Sequence, residues 1–223
     1  MDISHRHELF EMALLDHLHR TRALDTLVFG GGTMLRLCHE LKRYSVDLDF
    51  WFIKDVHEKH FFHQVKDSLA MDYEITDAQI KHFTILFELR SPLYPKRLKI
   101  EVRRQKVDWD YQEKIAFSKF GTQQVIVKAL TLEQSMQNKV AAFLDRGEIR
   151  DCFDIEFLLR RNISLPSLGT ASLETFQKRL KNFKKVDFKV KLGSILEPDM
   201  RSYYISQEFS YLQQQLPKKA VSL

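Results

Sequence analysis

The sequence predicts an α/β protein in which a small mixed sheet is followed by a helical C-terminal part. Up to about residue 130, apolar patterns of strand period alternate with patterns of helical period, whereas helical patterns dominate afterwards. A cluster of glycines separates a short strand pattern from a helix pattern. With 223 residues, 44% of them hydrophobic, the chain can form one mid-sized domain or two small ones. We expect a core over residues 1–130 and, over residues 131–223, a helical region that completes the active site.

Two elements precede the glycine cluster. Apolar residues recur at spacings of three and four over residues 4–24, which predicts an amphipathic helix, and residues 26–29 predict a short strand. A second helix pattern follows the glycines and ends at Lys42 and Arg43, where cations suit the negative end of the helix dipole. The expected unit is therefore strand, glycine turn, helix and strand.

The strand of that unit, predicted over residues 46–53, carries two aspartates. Its period of two places Val46, Leu48, Phe50 and Phe52 on one face and Asp47 and Asp49 on the opposite face. Like charges this close destabilise a sheet. A divalent cation relieves the conflict because Mg²⁺ takes carboxylate oxygens together with substrate phosphates. We therefore expect Mg²⁺ at Asp47 and Asp49, with Mn²⁺ as the alternative ion.

The glycine turn provides the other half of a nucleotide site. Without Cβ atoms, the backbone N–H groups at Gly31 and Gly32 can approach a phosphate, and the following helix N-terminus favours an anion. A phosphate site beside metal-binding carboxylates indicates nucleotide chemistry. The alternative interpretation is a glycine-rich turn followed by a strand with two solvated aspartates.

Several of these residues resemble a known signature. The pattern Gly31-Gly32-Thr33, Leu35, Arg43, Ser45 and Asp47-Leu48-Asp49-Phe50 resembles the GGT-x-L…R-x-S-x-D-[IL]-D-F motif of the abortive-infection nucleotidyltransferase toxins (AbiEii/AbiGii type), a branch of the polymerase-beta-like superfamily. The resemblance implies a polymerase-beta-like core with a mixed sheet. It implies that Gly31, Gly32 and Thr33 hold the β and γ phosphates and that Arg43 and Ser45 support the carboxylate strand.

The next part of the core supplies a candidate third carboxylate. Residues 56–69 predict a helix, and residues 72–75, 82–90, 97–103 and 124–129 predict strands, whereas the polar segment 107–115 predicts a loop or a short helix. Superfamily members often carry a third carboxylate on a neighbouring strand, and Glu101 fits by order and periodicity. It would complete the metal site or accept a proton from the attacking hydroxyl. The alternative is a solvated Glu101 between Lys99 and Arg103.

A second constellation follows residue 130. Thr131 opens a capping-box pattern for a helix that runs to about Arg146, and Lys139 lies two turns before that arginine on the same face. Asp151 and Asp154 are adjacent on the surface of the next predicted helix. The local alternative is that Asp151 merely caps this helix and pairs with Arg150.

Residues 139–154 also resemble the second signature of that toxin family, K-x-x-A-x-x-x-R…RD-x-x-D. The resemblance implies that Lys139 is a point charge on the nucleotide phosphates. It implies that Arg146 orients the triphosphate or holds the carboxylates. Asp151 or Asp154 would then orient Lys139 or act as the general base.

Composition limits the partners. The formal charge of +5 suits an anionic partner such as RNA. The basic stretch over residues 178–191 is interleaved with phenylalanines, so it is either an RNA surface or an ordinary solvated helix face. Two cysteines favour a reducing compartment. The N-terminus lacks the apolar segment of a signal peptide, and no apolar stretch reaches about 18 residues, so we expect a cytoplasmic protein without a membrane partner.

The resemblance to this family implies an enzyme that transfers NMP from an NTP to an acceptor hydroxyl and releases pyrophosphate. The family resemblance implies that the acceptor is a tRNA 3′ end and that the protein is a toxin with a separately encoded antitoxin. Two alternatives remain: a transferase that acts on a small molecule or a protein side chain, and a non-catalytic RNA-binding relative.

Overall fold

The computed structural model describes residues 2–217, which divide into two compact units. The first unit ends at Thr131 and the second begins at Leu132. The first contains helices and a seven-stranded sheet, and the elements described in the second are helices. The predicted α/β class is therefore confirmed.

The first unit begins with a long helix and then follows the predicted strand, glycine turn, helix and strand. Its helices and strands are α1 (Ile3–Arg20), β1 (Leu27–Gly30), α2 (Gly31–His39), β2 (Asp47–Phe52), α3 (Glu58–Ala70), β3 (Glu74–Ile80), β4 (Thr84–Arg90), β5 (Leu98–Arg103), β6 (Tyr111–Phe117) and β7 (Gln124–Leu130).

The seven strands form one mixed sheet in the order β3-β4-β5-β2-β1-β7-β6. Strand β2 is parallel to β5, and β1 is parallel to β7, whereas the other neighbours are antiparallel. The predicted mixed sheet is therefore confirmed. Strand β2 lies at its centre, between β1 and β5, so side chains from both neighbours border the aspartates.

The core lies against one face of this sheet. Leu48, Phe50 and Phe52 on β2 are buried and alternate with half-buried polar-face residues. The ring of Phe50 stacks on Phe29 of β1 with the centroids 5.0 Å apart. Because Leu48, Phe50 and Phe52 enter the core, Asp47 and Asp49 are turned to the opposite face, which they share with Trp51.

The second unit consists of helices joined by short connections. These are α4 (Leu132–Arg146), α5 (Ile149–Arg160), α6 (Thr170–Lys181), a π-helical segment (Asp187–Leu192), α7 (Pro198–Gln207) and α8 (Ser210–Gln215). None of the helices within residues 2–217 is long and apolar enough to cross a membrane.

Some predicted boundaries are wrong. Residues 111–117 form strand β6 rather than a loop or short helix, because pairing with β7 satisfies the backbone of a polar edge strand. Val46 lies outside β2 and is 45% exposed, so it does not join the apolar face. The sequence predicts one final helix over residues 202–216, but this segment is divided between α7 and α8 at Glu208, whose φ of 51° interrupts the helix.

Candidate active site

The carboxylates of the first unit lie on one face of the sheet. Asp47 and Asp49 alternate with the buried residues of β2 and are half-buried. The parallel register places Lys99 beside Asp47 and Glu101 beside Asp49. Neighbouring strands are about 4.8 Å apart, so Glu101 lies one strand away from Asp49 on the same face. We refer to Asp47, Asp49 and Glu101 as the carboxylate face.

The glycine turn packs directly against this face. Gly30 is the register partner of Asp49 on β1. Gly31 has a φ of 75°, and a Cβ atom added there would collide with Oδ2 of Asp49. A Cβ atom on Gly32 would collide with the guanidinium of Arg43. Both positions therefore need glycine, and α2 begins at Gly31 with its first N–H groups beside the Asp49 carboxylate.

Thr33 and Arg43 hold the start of β2. The Thr33 side chain is fully buried, and its hydroxyl donates a hydrogen bond of 2.7 Å to the carbonyl of Asp47. Arg43 is buried beside Gly32, and its Nη1 donates to the carbonyl of Tyr44 at 3.1 Å. Ser45, in the same connection, is half-buried. Since the Thr33 hydroxyl is engaged with the strand, only its backbone N–H can contribute to phosphate binding.

A buried ionic network, which sequence analysis missed, supports the segment that leads into β2. Arg36 of α2 forms a salt bridge with Glu8 of α1, and the Ser118 hydroxyl donates to the same carboxylate at 2.6 Å. The Arg36 guanidinium also donates to the carbonyl of Leu41 at 3.0 Å and lies 4.1 Å from the ring centroid of Tyr44. The available signal was that Glu8 and Arg36 occur on otherwise apolar helix faces.

The carboxylate face suits an oxygen-preferring cation without forming a closed metal site. Within residues 2–217, no three His, Cys, Asp or Glu side chains converge as ligands of one ion. Glu101 instead has its Oε2 3.5 Å from Nη2 of Arg103. Mg²⁺ normally takes one or two protein carboxylates and completes its shell with water and substrate phosphates. Asp47 and Asp49 fit that requirement, and the Gly31 backbone packs directly against the Asp49 carboxylate.

The second unit contains a separate cluster around Lys139. Its Nζ lies 2.6 Å from Oδ2 of Asp154 and 3.9 Å from Oδ1 of Asp151. Arg146 binds Asp151 through two hydrogen bonds, from Nε at 2.8 Å and from Nη2 at 2.7 Å. Both carboxylates are fully buried, and the Lys139 side chain is 12% exposed. The structure therefore brings the four predicted residues together as the Lys139 cluster.

The contacts in the Lys139 cluster decide between two interpretations of Asp151. The local alternative requires Asp151 to pair with Arg150 and to cap α5. Instead, Asp151 pairs with Arg146 and Lys139, and α5 begins after Glu148 without a side-chain cap. Buried carboxylates bound to cations hold those cations in place, which favours an orienting role for both aspartates.

Glu156 is a further buried carboxylate that the sequence did not reveal as important. It accepts hydrogen bonds from the Tyr204 hydroxyl at 3.0 Å, from Nη2 of Arg160 at 3.0 Å and from the backbone N–H of Leu212 at 3.1 Å. Burial and the Glu156 charge raise the pKa of Tyr204. Glu156 thus connects α5 to α7 and α8.

The phenylalanines of the basic stretch do not form a stacking surface. Phe176 and Phe188 are buried, and Nη1 of Arg179 donates to the carbonyl of Phe143 at 2.8 Å. Nζ of Lys191 lies 2.8 Å from Asp187. Phe176 and Phe188 therefore face inward, as expected for the ordinary helix face that the sequence left open, whereas Val186 and Val190 are exposed.

Comparison with known structures supports the fold. The chain resembles JHP933 from Helicobacter pylori at 19% identity and a TM-score of 0.54, over 94% of this chain and 93% of that one. It resembles a putative nucleotidyltransferase from H. pylori at 21% identity and a TM-score of 0.52, over 91% of this chain and 95% of that one. The nucleotidyltransferase toxin MenT4 from Mycobacterium tuberculosis aligns at 17% identity and a TM-score of 0.48, over 85% of this chain and 71% of that one.

No curated protein matches the chain. Residues 13–209, however, match the family described as nucleotidyl transferase AbiEii toxin of type IV toxin–antitoxin systems. That range includes the glycine turn, the carboxylate face and the Lys139 cluster. The chain belongs to the AbiEii nucleotidyltransferase toxin family.

Proposed function

We propose that this nucleotidyltransferase toxin uses Mg²⁺ to transfer NMP from an NTP to a hydroxyl of an RNA acceptor, tRNA being the RNA we expect. A separately encoded antitoxin would oppose it. One observation carries the proposal: Gly31 lies against the Asp49 carboxylate at the N-terminus of α2, so a phosphate site and a cation site adjoin.

Asp47 and Asp49 are the residues we assign to the cation. When bound, Mg²⁺ supplies positive charge that offsets the charge developing on the transferring phosphoryl group. The chain contributes the fixed position of both carboxylates. That position depends on the buried alternation of β2 and on the hydrogen bond from Thr33 to the Asp47 carbonyl.

The start of α2 is the element we assign to the β and γ phosphates. The first N–H groups of a helix have no intrahelical acceptor, and the helix dipole adds partial positive charge there. Gly31 and Gly32 keep this end free of Cβ atoms. Arg43, packed beside Gly32, adds a buried positive charge to the same turn.

Glu101 is the residue we assign to the proton of the attacking hydroxyl. Its carboxylate lies on the face that carries Asp49 but forms no three-ligand cluster with the aspartates. In the transfer, the acceptor oxygen forms a bond to the α-phosphorus, its proton passes to Glu101, and the bond to the pyrophosphate oxygen breaks. Nη2 of Arg103 lies 3.5 Å from Oε2 of Glu101.

Lys139 is the residue of the second unit that we assign to nucleotide phosphates. Asp154 fixes its ammonium at 2.6 Å, and the side chain stays partly accessible. Arg146 neutralises Asp151, so the second buried carboxylate does not draw Lys139 away. Asp151, Asp154 and Arg146 are therefore positioning residues in this proposal.

The proposal is tested by incubating the purified protein with Mg²⁺ and each α-labelled NTP, with and without total tRNA. We compare the wild type with Asp49→Asn and with Asp67→Asn, a matched change at an exposed aspartate of α3. Label on tRNA with the wild type and Asp67→Asn, but not with Asp49→Asn, is the expected result. Label on protein or on a small molecule would show that this molecule, and not RNA, is the acceptor. RNA binding without NTP turnover would favour a non-catalytic relative.

A further inference from the structure

The loop between β4 and β5 forms a basic pocket that the proposed catalytic steps do not use. The cavity measures about 480 Å³ and is lined by Arg90, Ser91, Pro92, Tyr94, Pro95, Lys96 and Arg97. Three of these seven residues are cationic, and none is acidic. We call this cavity the 90–97 pocket.

Two of the three cations have no carboxylate partner. Arg97 is held by Glu88, with Nη1 at 2.7 Å from Oε1, and this contact lowers the pKa of Glu88. Within residues 2–217, Arg90 and Lys96 form no ion pair, although Glu74 is the cross-strand neighbour of Arg90. Both side chains are exposed. The pocket therefore offers positive charge to an anion from outside the protein.

The loop is fixed rather than loosely held. Tyr94 stacks on Phe10 of α1 with ring centroids 4.5 Å apart and planes within 7° of parallel. Nη2 of Arg6 donates to the carbonyl of Leu93 at 2.7 Å, and the Ser91 hydroxyl accepts a hydrogen bond from the N–H of Leu93. A pocket that is already ordered loses little conformational entropy when a ligand binds.

The pocket lies at the edge of the sheet where the carboxylate face begins. It ends at Arg97, directly before β5, and Lys99 on β5 is the register partner of Asp47. Lys96 precedes Lys99 by three residues, which is about 10 Å along an extended chain. A ligand that reaches both the carboxylate face and Lys96 is therefore longer than one phosphate group.

We propose that the 90–97 pocket binds a backbone phosphate of the acceptor RNA. Arg90 and Lys96 contact the phosphate, while the strand continues along Lys99 to the carboxylate face. This inference rests on the proposed function for the identity of the acceptor. Contacts of this kind position a nucleic acid without reading its sequence, so the pocket sets affinity and register rather than base preference.

The test compares two double variants that remove the same charge. Arg90→Ala with Lys96→Ala removes both unpaired cations of the pocket. Lys59→Ala with Lys81→Ala removes two exposed lysines away from the pocket, on α3 and after β3. Binding of fluorescently labelled total tRNA is measured by anisotropy over a range of salt concentrations, without NTP. The KM for NTP is measured in parallel.

We expect the pocket variant to bind tRNA about tenfold more weakly and to reduce the slope of log affinity against log salt by about 0.7–0.9, the change for one lost phosphate contact. The KM for NTP and the melting temperature stay unchanged, and the control variant behaves as the wild type. Equal weakening in both variants, unchanged affinity in the pocket variant, or no tRNA binding by the wild type would each overturn the proposal. So would a rise in the KM for NTP alone, which would make the pocket a triphosphate site.

The binding assay also separates this inference from the proposed function. Because it contains no NTP, pocket-dependent tRNA binding can be observed even if no label reaches RNA, in which case the proposed function fails and the pocket stands. Conversely, if the wild type labels tRNA and the pocket variant still binds tRNA with normal affinity, the proposed function stands and the pocket proposal fails.

Discussion

The Cα atom of Gly31 lies so close to the carboxylate of Asp49 that residue 31 has no room for a side chain. This contact joins the turn at the start of α2 to the carboxylate face of β2. Any side chain at residue 31 therefore displaces one of the two groups that we assign to the triphosphate and its cation.

We expect Gly31→Ala to lower kcat/KM for nucleotidyl transfer by about 100-fold or more, because displacements of about 1 Å at a reacting centre have effects of this size. The φ of 75° adds backbone strain of about 1 kcal/mol. Steady-state kinetics with labelled NTP measure the first effect and thermal unfolding measures the second.

Gly169→Ala is the matched control, since no atom lies within 4 Å of a Cβ at that position and its φ is −62°. It should leave both activity and melting temperature unchanged. Full activity in Gly31→Ala would show that the turn does not act in the reaction.

Thr33→Val should destabilise the protein by about 1–3 kcal/mol, because it removes the 2.7 Å hydrogen bond to the part-buried carbonyl of Asp47 at nearly constant volume. Thr33→Ser keeps the hydroxyl and should retain most of the hydrogen-bond energy. Urea unfolding of both variants provides the comparison. If serine and valine were equally destabilising, packing of the methyl group would be the important contribution.

Asp154→Asn should reduce both activity and stability, because it removes the 2.6 Å partner of Lys139 from a buried site. Breaking a buried pair typically costs about 3–5 kcal/mol. A double-mutant cycle with Lys139→Met should be strongly non-additive in kcat/KM, since both changes remove the same interaction. Asp145→Asn, an exposed aspartate on the same helix as Lys139, is the control.

The pH profile of Asp154→Asn distinguishes orientation from base catalysis. If Asp154 orients Lys139, the residual activity keeps the pH dependence of the wild type. If Asp154 were the general base, the acidic limb of the profile would disappear and the positioning role would be wrong.

Glu11 should give the folded protein a pH-dependent loss of stability. Burial raises the pKa of this carboxyl well above its usual value, and the charges of Glu8 and Asp47 add to the effect while Arg36 opposes it. Because its folded-state pKa is raised, Glu11 makes its full contribution to stability below the unfolded pKa of about 4.3. That contribution is lost as the pH rises through the folded-state pKa. Each pKa unit of difference between the folded and unfolded states corresponds to about 1.4 kcal/mol in the free energy of unfolding.

Glu11→Gln should remove this dependence, because a neutral amide has no proton to lose. We expect the variant to be more stable than the wild type at pH values above the folded pKa and similar to it at pH 4. Chemical unfolding over pH 4–9 measures the difference. Parallel curves for the two proteins would contradict the assignment.

The local patterns around the carboxylates were predictable from the sequence. The strict alternation of β2 places Asp47 and Asp49 on one face, and the positive φ found at Gly31 favours glycine. In both cases the interaction is local, or the residue type restricts the backbone. A pairing of Lys139 with Asp151 or Asp154 was implied only by the family signature, because these residues lie on different helices and helical spacing does not relate them.

Other features depend on contacts between distant segments, which periodicity does not encode. Thr33 was expected at the phosphates, but its hydroxyl bonds to a carbonyl of the next strand. The Glu8–Arg36 pair joins two helices, and Glu156 joins three. Strand β6 was missed because its polar residues suit an exposed edge strand, whose pattern resembles that of a loop.

The parallel pairing of β2 with β5 affects when the chain can become active. During synthesis, the glycine turn and both aspartates leave the ribosome before β5 does, and the intervening hairpin of β3 and β4 must also be placed. Glu101 reaches Asp49 only when this non-local pairing closes, a step that is slow compared with local folding. A nascent or truncated chain that stops before residue 98 therefore carries the glycine turn and both aspartates without a complete carboxylate face.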